Sequence, residues 1–352
     1  MEQGFTVTTS RNFAQWLSDR RVSLAISTYQ VGKLFLVGIG GDGNVAAFER
    51  TFDRVMGIGA FRDRRSFLLA TRAQLIRFDE VLPKSKAYES WDVLYAPHQT
   101  WITGDLDVHD LAVAAGDAPV FVSTLYSCIA TVSPGYSFKP LWWPPFISRI
   151  APEDRCHLNG MALENGKPRF ATLVAASDVG DGWRDRKVDG GMVWDIAEGK
   201  PIAQGLSMPH SPQLHEGKLW LLNSGKGELG FVERASGQFE PVAFCPGYAR
   251  GLTIIDHYAV ICLSLPREDR TFHGLPLDGA LAARGAEPRC GLIVVDLETG
   301  DTIAWLRIEN LVRELFDVGV LPGVRNPALI GFMTNEIQQT VSIDASELPK
   351  RS

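Results

Sequence analysis

The property of this 352-residue chain that most limits its fold is a short unit recurring along its length. A small residue set between apolar ones appears in MGIGA (56–60), HDLAV (109–113), NGMAL (159–163), RGLTI (250–254) and FDVGV (316–320), while HSPQL (210–214) fills the same slot less well. After a turn comes an apolar run: SFLLAT, VFVSTL, RFATLV, LWLLNS, AVICLS or ALIGFM. A third run follows: LIRFD, IATVS, MVWDI, LGFVE, LIVVD or TVSID. Several units add a fourth, such as FKPLWW, KPIAQG, FEPVAF or DTIAWL. One such unit cannot bury its apolar faces alone, so the repeats must pack on one another. Four short strands per unit, with small residues in the first where inner strands crowd an axis, read as the blades of an all-β β-propeller.

These strings make six units, and SLAISTY, KLFLVGI and VAAFERTF before Met56 read as strands two to four of a further one. Seven four-stranded antiparallel blades are therefore expected, with six as the alternative. Residues 1–22 read as a closing segment: FTVTT pairs with the last blade to close the ring, and RNFAQWLSDRR forms a short helix with Phe13, Trp16 and Leu17 on one side. Residues 1–352 read as a single domain, because no proline-rich or charged linker interrupts the series; a β-sandwich or two smaller β domains is the rival.

Composition narrows the partners. The 34 glycines and 20 prolines fall between apolar runs, as turns do. A formal charge of −6 with no basic block argues against nucleic acid and anionic membranes, which demand clustered Lys and Arg. No apolar run approaches the roughly 20 residues that span a bilayer, and the first residues lack a secretory pattern. A cytoplasmic protein is expected. Cys128, Cys156, Cys245, Cys262 and Cys290 are odd in number and without a CxxC pair, which points to buried thiols.

In a four-stranded meander, the turns from strand four to the next strand one and from strand two to strand three share a face. The insertions 174–191 and 266–290 join second to third strands, and 91–107 joins a fourth to a first, so all three decorate that face. His109, His157 and His210 lie at or just before first strands, and His98 and His273 lie in the insertions. His215 and His257 fall on the opposite face. His109, Asn159, His210, Arg250 and Asp317 form an expected ring of entry residues, with Asp105, Asp107 and His157 just before it.

The chemistry this ring offers is acid–base work by a histidine, or a divalent metal ion held by His109, His157, His210 and Asp107. Satisfied structural histidines are the alternative, and no HxH or HxxxH string supports a metal. Asp105, Asp107 and Asp110 either orient His109, bind a hard cation or form turns. Arg250 pairs with Asp317 or with an anionic ligand. Asn159 orients a substrate, and Tyr29, Arg72 and Tyr126, at the ends of second strands, are outer contacts. Trp183 with Arg184, and Trp142 with Trp143, offer planar surfaces for a sugar or peptide, or pack in the core. No nucleophile stands out: Ser224 lacks the GxSxG elbow, and GIGGDG (38–43) is a hairpin.

The string CHLNGMAL (156–163) resembles the entry strand of the gluconolactonase and regucalcin-like propellers, which implies a metal-dependent lactone hydrolase. A fuller resemblance, through STYQVGKLFLVG (27–38), FERTFDRVMG (48–57), CHLNGMAL, SMPHSP (207–212), LWLLNSGKGELG (219–230) and CPGYARGL (245–252), is to an uncharacterised bacterial family of propeller-like conserved hypothetical proteins. Two functions stay open. One is a metal- or histidine-dependent hydrolase or lyase acting on a small polar or anionic substrate. The other is a propeller that binds a peptide, glycan or partner protein without chemistry.

Overall fold

A computed structural model describes residues 4–61, 65–83, 86–266 and 274–343. Its strands form six sheets, four with four strands and two with five. Blade 1 runs outward from Val318–Pro322 through Val22–Ser27 and Lys33–Ile39 to Val45–Thr51. Blade 2 starts at Ile58–Ala60, blade 3 at Val108–Val113, blade 4 at Leu158–Glu164, blade 5 at Pro209–His215 and blade 6 at Tyr248–Ile255. All six recurring strings, HSPQL included, thus supply innermost strands.

The ring has six blades, not the seven expected. Val318–Pro322 does not open a further blade; it pairs with Val22–Ser27, with Gly319 opposite Ala25, and so supplies the first strand missing from the N-terminal trio. The following run does not make a second strand either. Pro327–Leu329 lies parallel to Val93–Tyr95 on the rim of blade 2. Residues 340–343 form no strand, and the end of TVSID lies outside the described residues. Closure of the ring therefore comes from the C-terminal side, through strand hydrogen bonds between two segments almost 300 residues apart in the chain. Phe5–Thr9 pairs with Leu306–Asn310, a fifth and outermost strand on blade 6 rather than the strand that closes the ring.

The second strands explain the unbroken apolar runs. Val22–Ser27, Ser66–Ala70 and Pro119–Ser123 are buried along their whole length, because each blade face packs on a neighbour. In blade 3, Phe121 faces Leu68 of blade 2, while Val120 and Val122 face Leu158 and Ala171 of blade 4. A strand buried on both sides has no polar alternation to show. Each of the six blade junctions holds its own apolar cluster. Helix α1 (Phe13–Arg20) buries Phe13, Trp16 and Leu17 in the cluster between blades 6 and 1. It ends at Arg21, whose left-handed φ of 51° turns the chain into blade 1.

The insertions after the second strands of blades 4 and 6 meet over one end of the ring. Trp183 of the first packs with Leu275, Leu277 and Leu281 around helix α2 (Pro276–Ala283) of the second, and with Met208 and Tyr248 beneath. All five cysteines are buried free thiols. Among the described residues, no helix is long and apolar enough to cross a membrane.

Candidate functional site

At this end of the axis, each blade enters its innermost strand through the same few positions. One layer consists of Met56, His109, Asn159, His210, Arg250 and Phe316, one from each blade. Two residues earlier stand Arg54, Asp107, His157, Met208, Tyr248 and Glu314. Arg54, Asp107, His157 and Met208 all have φ between 47° and 52°. A conformation shared by four blades belongs to the architecture, so His157 is not singled out by strain. The inner strands also bulge here: His109 and Asn159 are extra residues in their ladders, and Arg250 with Gly251 opposes a single partner residue. Bulges turn side chains that would otherwise follow the pleat toward the axis.

His157 is the centre of the arrangement. Its Nδ1 lies 2.9 Å from Asp154 Oδ2, which also accepts the indole N–H of Trp183 at 2.9 Å. Trp183 stacks on the imidazole with centroids 4.1 Å apart, and the His109 ring meets it edge-on at 5.0 Å. With Nδ1–H directed at the carboxylate, the Nε2 lone pair is left; that atom is buried and has no hydrogen-bond partner among the described residues. Asp154 is held in turn. Its amide donates to Leu125 O at 2.9 Å, and the adjacent Arg155 ties Glu153, Ser148 and Asp178 together, pinning the blade 4 insertion to the loop. Hydrogen bonds from Ser148 and the Arg155 guanidinium hold the Asp178 carboxyl down at about 2.

The other two histidines are placed differently. His210 has both nitrogens engaged: Nδ1 with Met208 O at 2.9 Å and Ser224 Oγ at 3.2 Å, and Nε2 with Asn159 Nδ2 at 3.3 Å. Thr172 donates to Asn159 Oδ1 at 2.8 Å, which fixes the amide with its N–H₂ toward His210. Burial, with the Arg250 charge nearby, holds His210 well below the usual imidazole range. His109 is pushed down to about 3, chiefly by burial, against the opposing pull of Asp107. Both rings are neutral at neutral pH.

The expected metal set is not assembled. Asp105 turns to Arg54, Asp107 lies 3.5 Å from His109 Nδ1 and 4.0 Å from Arg54, His210 has both nitrogens engaged, and among the described residues no three His, Cys, Asp or Glu side chains could hold a metal ion together. The expected pairing of Arg250 with Asp317 is replaced by Glu314, whose Oε2 lies 3.9 Å from Arg250 Nη1, both side chains being buried. The cause is register. Phe316, not Asp317, occupies the entry position of blade 1, and its ring lies 5.0 Å under the Arg250 guanidinium.

Asp317 sits one residue further along, in a channel of about 360 Å³ that continues along the axis. There the six positions read Gly57, Asp110, Gly160, Ser211, Gly251 and Asp317, glycine in every second blade. Asp110 accepts the Met161 amide of blade 4 at 2.7 Å, and Asp317 accepts the Ile58 amide of blade 2 at 2.8 Å. Burial raises both carboxyls, Asp110 to about 6 and Asp317 to about 7, the latter also through the charge of Asp110.

Tyr29 reaches the site, stacked on Phe316 at 5.9 Å. Arg72 pairs with exposed Asp53, and Tyr126 packs on Phe138, so neither contacts the histidines. His98 also falls away from the axis, against Asp79 on blade 2. His273 lies outside the described residues. Trp183 is 1% exposed and serves His157 and Asp154 rather than a sugar. Asp154 and Glu314 escaped the sequence reading. Glu314 stands two positions before its inner-strand entry, as His157 does, and aligning the units two residues upstream would have raised it.

No curated protein matches the sequence. Among solved structures, a chain from a crystal structure of a nidogen/laminin complex is similar in fold, with a TM-score of 0.55 at 10% identity over 86% of this chain and 99% of that one. Nothing in these comparisons supports the gluconolactonase resemblance of CHLNGMAL. Residues 11–330 match a family described as a domain of unknown function, DUF4915, and the chain belongs to that family.

Proposed function

We propose that this protein is an enzyme acting on a small polar substrate at the histidine end of the axis, with His157 as its acid–base group. The supporting observation is the buried, unpartnered Nε2 of a ring whose other nitrogen is directed at Asp154. Leaving such an atom unsatisfied is costly, and its lone pair is suited to accept a proton from a ligand. A carboxylate behind Nδ1 fixes the tautomer and stabilises the imidazolium formed when Nε2 takes a proton. Water activation for hydrolysis and proton abstraction for elimination both use that step. Glu314 beside Arg250 offsets the guanidinium charge, which favours a polar substrate over a strongly anionic one.

The test is turnover of a panel of small lactones, esters and hydroxy acids. For any substrate found, His157→Gln should lower kcat by about 10²–10⁴-fold without loss of thermal stability. Asp154→Asn should do the same by turning the ring to the wrong tautomer. Turnover unaffected by either change overturns the proposal. Saturable binding without turnover would favour the second reading, a binding module, toward which the fold likeness to a chain crystallised in a nidogen/laminin complex points.

A further inference from the structure

A second cleft, of about 440 Å³, lies on blade 6 at the same end as the histidine entry positions, between the stretch after α2 and the outer strand Thr302–Asn310. Leu263, Ile293 and Trp305 give it apolar walls, and Arg289 and Arg307 line it. Strand alternation puts Trp305 and Arg307 on the same side, and the Arg307 guanidinium lies 4.2 Å from the indole centroid. Stacking occupies the face of the guanidinium and holds its plane, while its N–H edge stays available for a planar acceptor.

Several other buried or half-buried arginines are met by acids: Arg54 by Asp105, Arg155 by Asp178 and Arg169 by Asp195. Among the described residues, no carboxylate forms an ion pair with Arg289 or Arg307, and neither is engaged in any further hydrogen bond or ion pair of its side chain. Glu287 also lines the cleft, which leaves a net charge near +1, suited to a monoanion. The volume is that of a small-molecule pocket.

We infer that this cleft binds a small organic carboxylate with a flat apolar body, its two oxygens on the Arg307 fork and its body against Trp305, Ile293 and Leu263. Two parallel N–H···O bonds match a carboxylate better than a single ammonium would. The site is separate from His157 and does not rest on the proposed reaction.

The full chain is titrated with benzoate, benzamide and phenyl phosphate by ligand-detected NMR and calorimetry, and the thermal unfolding of each variant is recorded alongside. Benzoate is expected to bind, and the isosteric but neutral benzamide is not. Arg307→Gln should weaken benzoate about tenfold, near 1.4 kcal/mol. Arg307→Lys, which keeps the charge but loses the fork and the stack, should weaken it as well. His157→Gln should leave benzoate binding unchanged. Absence of benzoate binding, equal binding of benzamide, preference for phenyl phosphate, or wild-type affinity in folded Arg307→Lys would each overturn the assignment.

Discussion

Asp317 and Asp110 show how an axis converts ordinary side chains into unusual ones. Each accepts a backbone amide from the next blade, a bond that favours the charged form, yet burial outweighs it and raises both carboxyls. For Asp317, held at about 7, the sign follows from linkage. As pH rises from about 4 to about 7, the unfolded chain releases a proton that the folded one keeps, so stability falls across that window and stays low above it. Denaturant unfolding of the wild type and Asp317→Asn at several pH values should show the wild type losing more stability between pH 5 and 8; parallel curves would refute this. His109 works in the opposite direction. Held at about 3, it stays neutral while unfolded histidine protonates, so it costs stability as pH falls below about 6.5. His109→Gln should therefore soften acid unfolding below pH 6, read by the same titration. The histidines and Arg250 were legible as entry residues because the repeat places them. That His210 is bound by Asn159 and Ser224, while His157 keeps a nitrogen without a partner among the described residues, was not, since these contacts come from a neighbouring blade and from a turn outside the recurring inner strand.

Elements carry the crowding that the repeat advertises. A Cβ on Gly251 would stand 2.6 Å from the Asp317 Cα and 2.9 Å from the Val318 amide, both backbone atoms of the neighbouring blade that cannot swing aside. Gly251→Ala should cost about 1–3 kcal/mol, as overpacking of a tight interior does. Gly41→Ala, with nothing within 4 Å of its new Cβ, serves as the neutral control. Equal midpoints for the two variants would count against crowding as the reason for glycine at the axis. The edge strand makes a different prediction. Phe5 and Val7 pack on the cluster between blades 6 and 1, and Phe5–Thr9 covers the rim of blade 6. Deleting residues 1–10 should lower stability by about 1–3 kcal/mol yet leave the ring cooperative, because the strand is outermost. Collapse of the fold on that deletion would show that the segment does more than cover an edge.

The whole molecule depends on a pairing that no local pattern states. Val318–Pro322 must travel back to Val22–Ser27, and without it blade 1 lacks the strand that lines the axis. A chain ending at residue 315 should therefore lose cooperative thermal unfolding, whereas one lacking only residues 344–352 should keep it. Circular dichroism melts of both check this, and cooperative melting of the shorter chain would exclude closure through Val318–Pro322. By itself the sequence determined the strand class, the recurring inner strand with its small residues, and the face that collects the histidines. Those properties follow from residue size and apolar pattern within one unit. Tertiary structure decided the number of blades, the partner of Arg250 and the free nitrogen of His157. Each of these rests on contacts between residues of different units or loops, where one apolar strand reads like another and a one-residue register change exchanges Phe316 for Asp317.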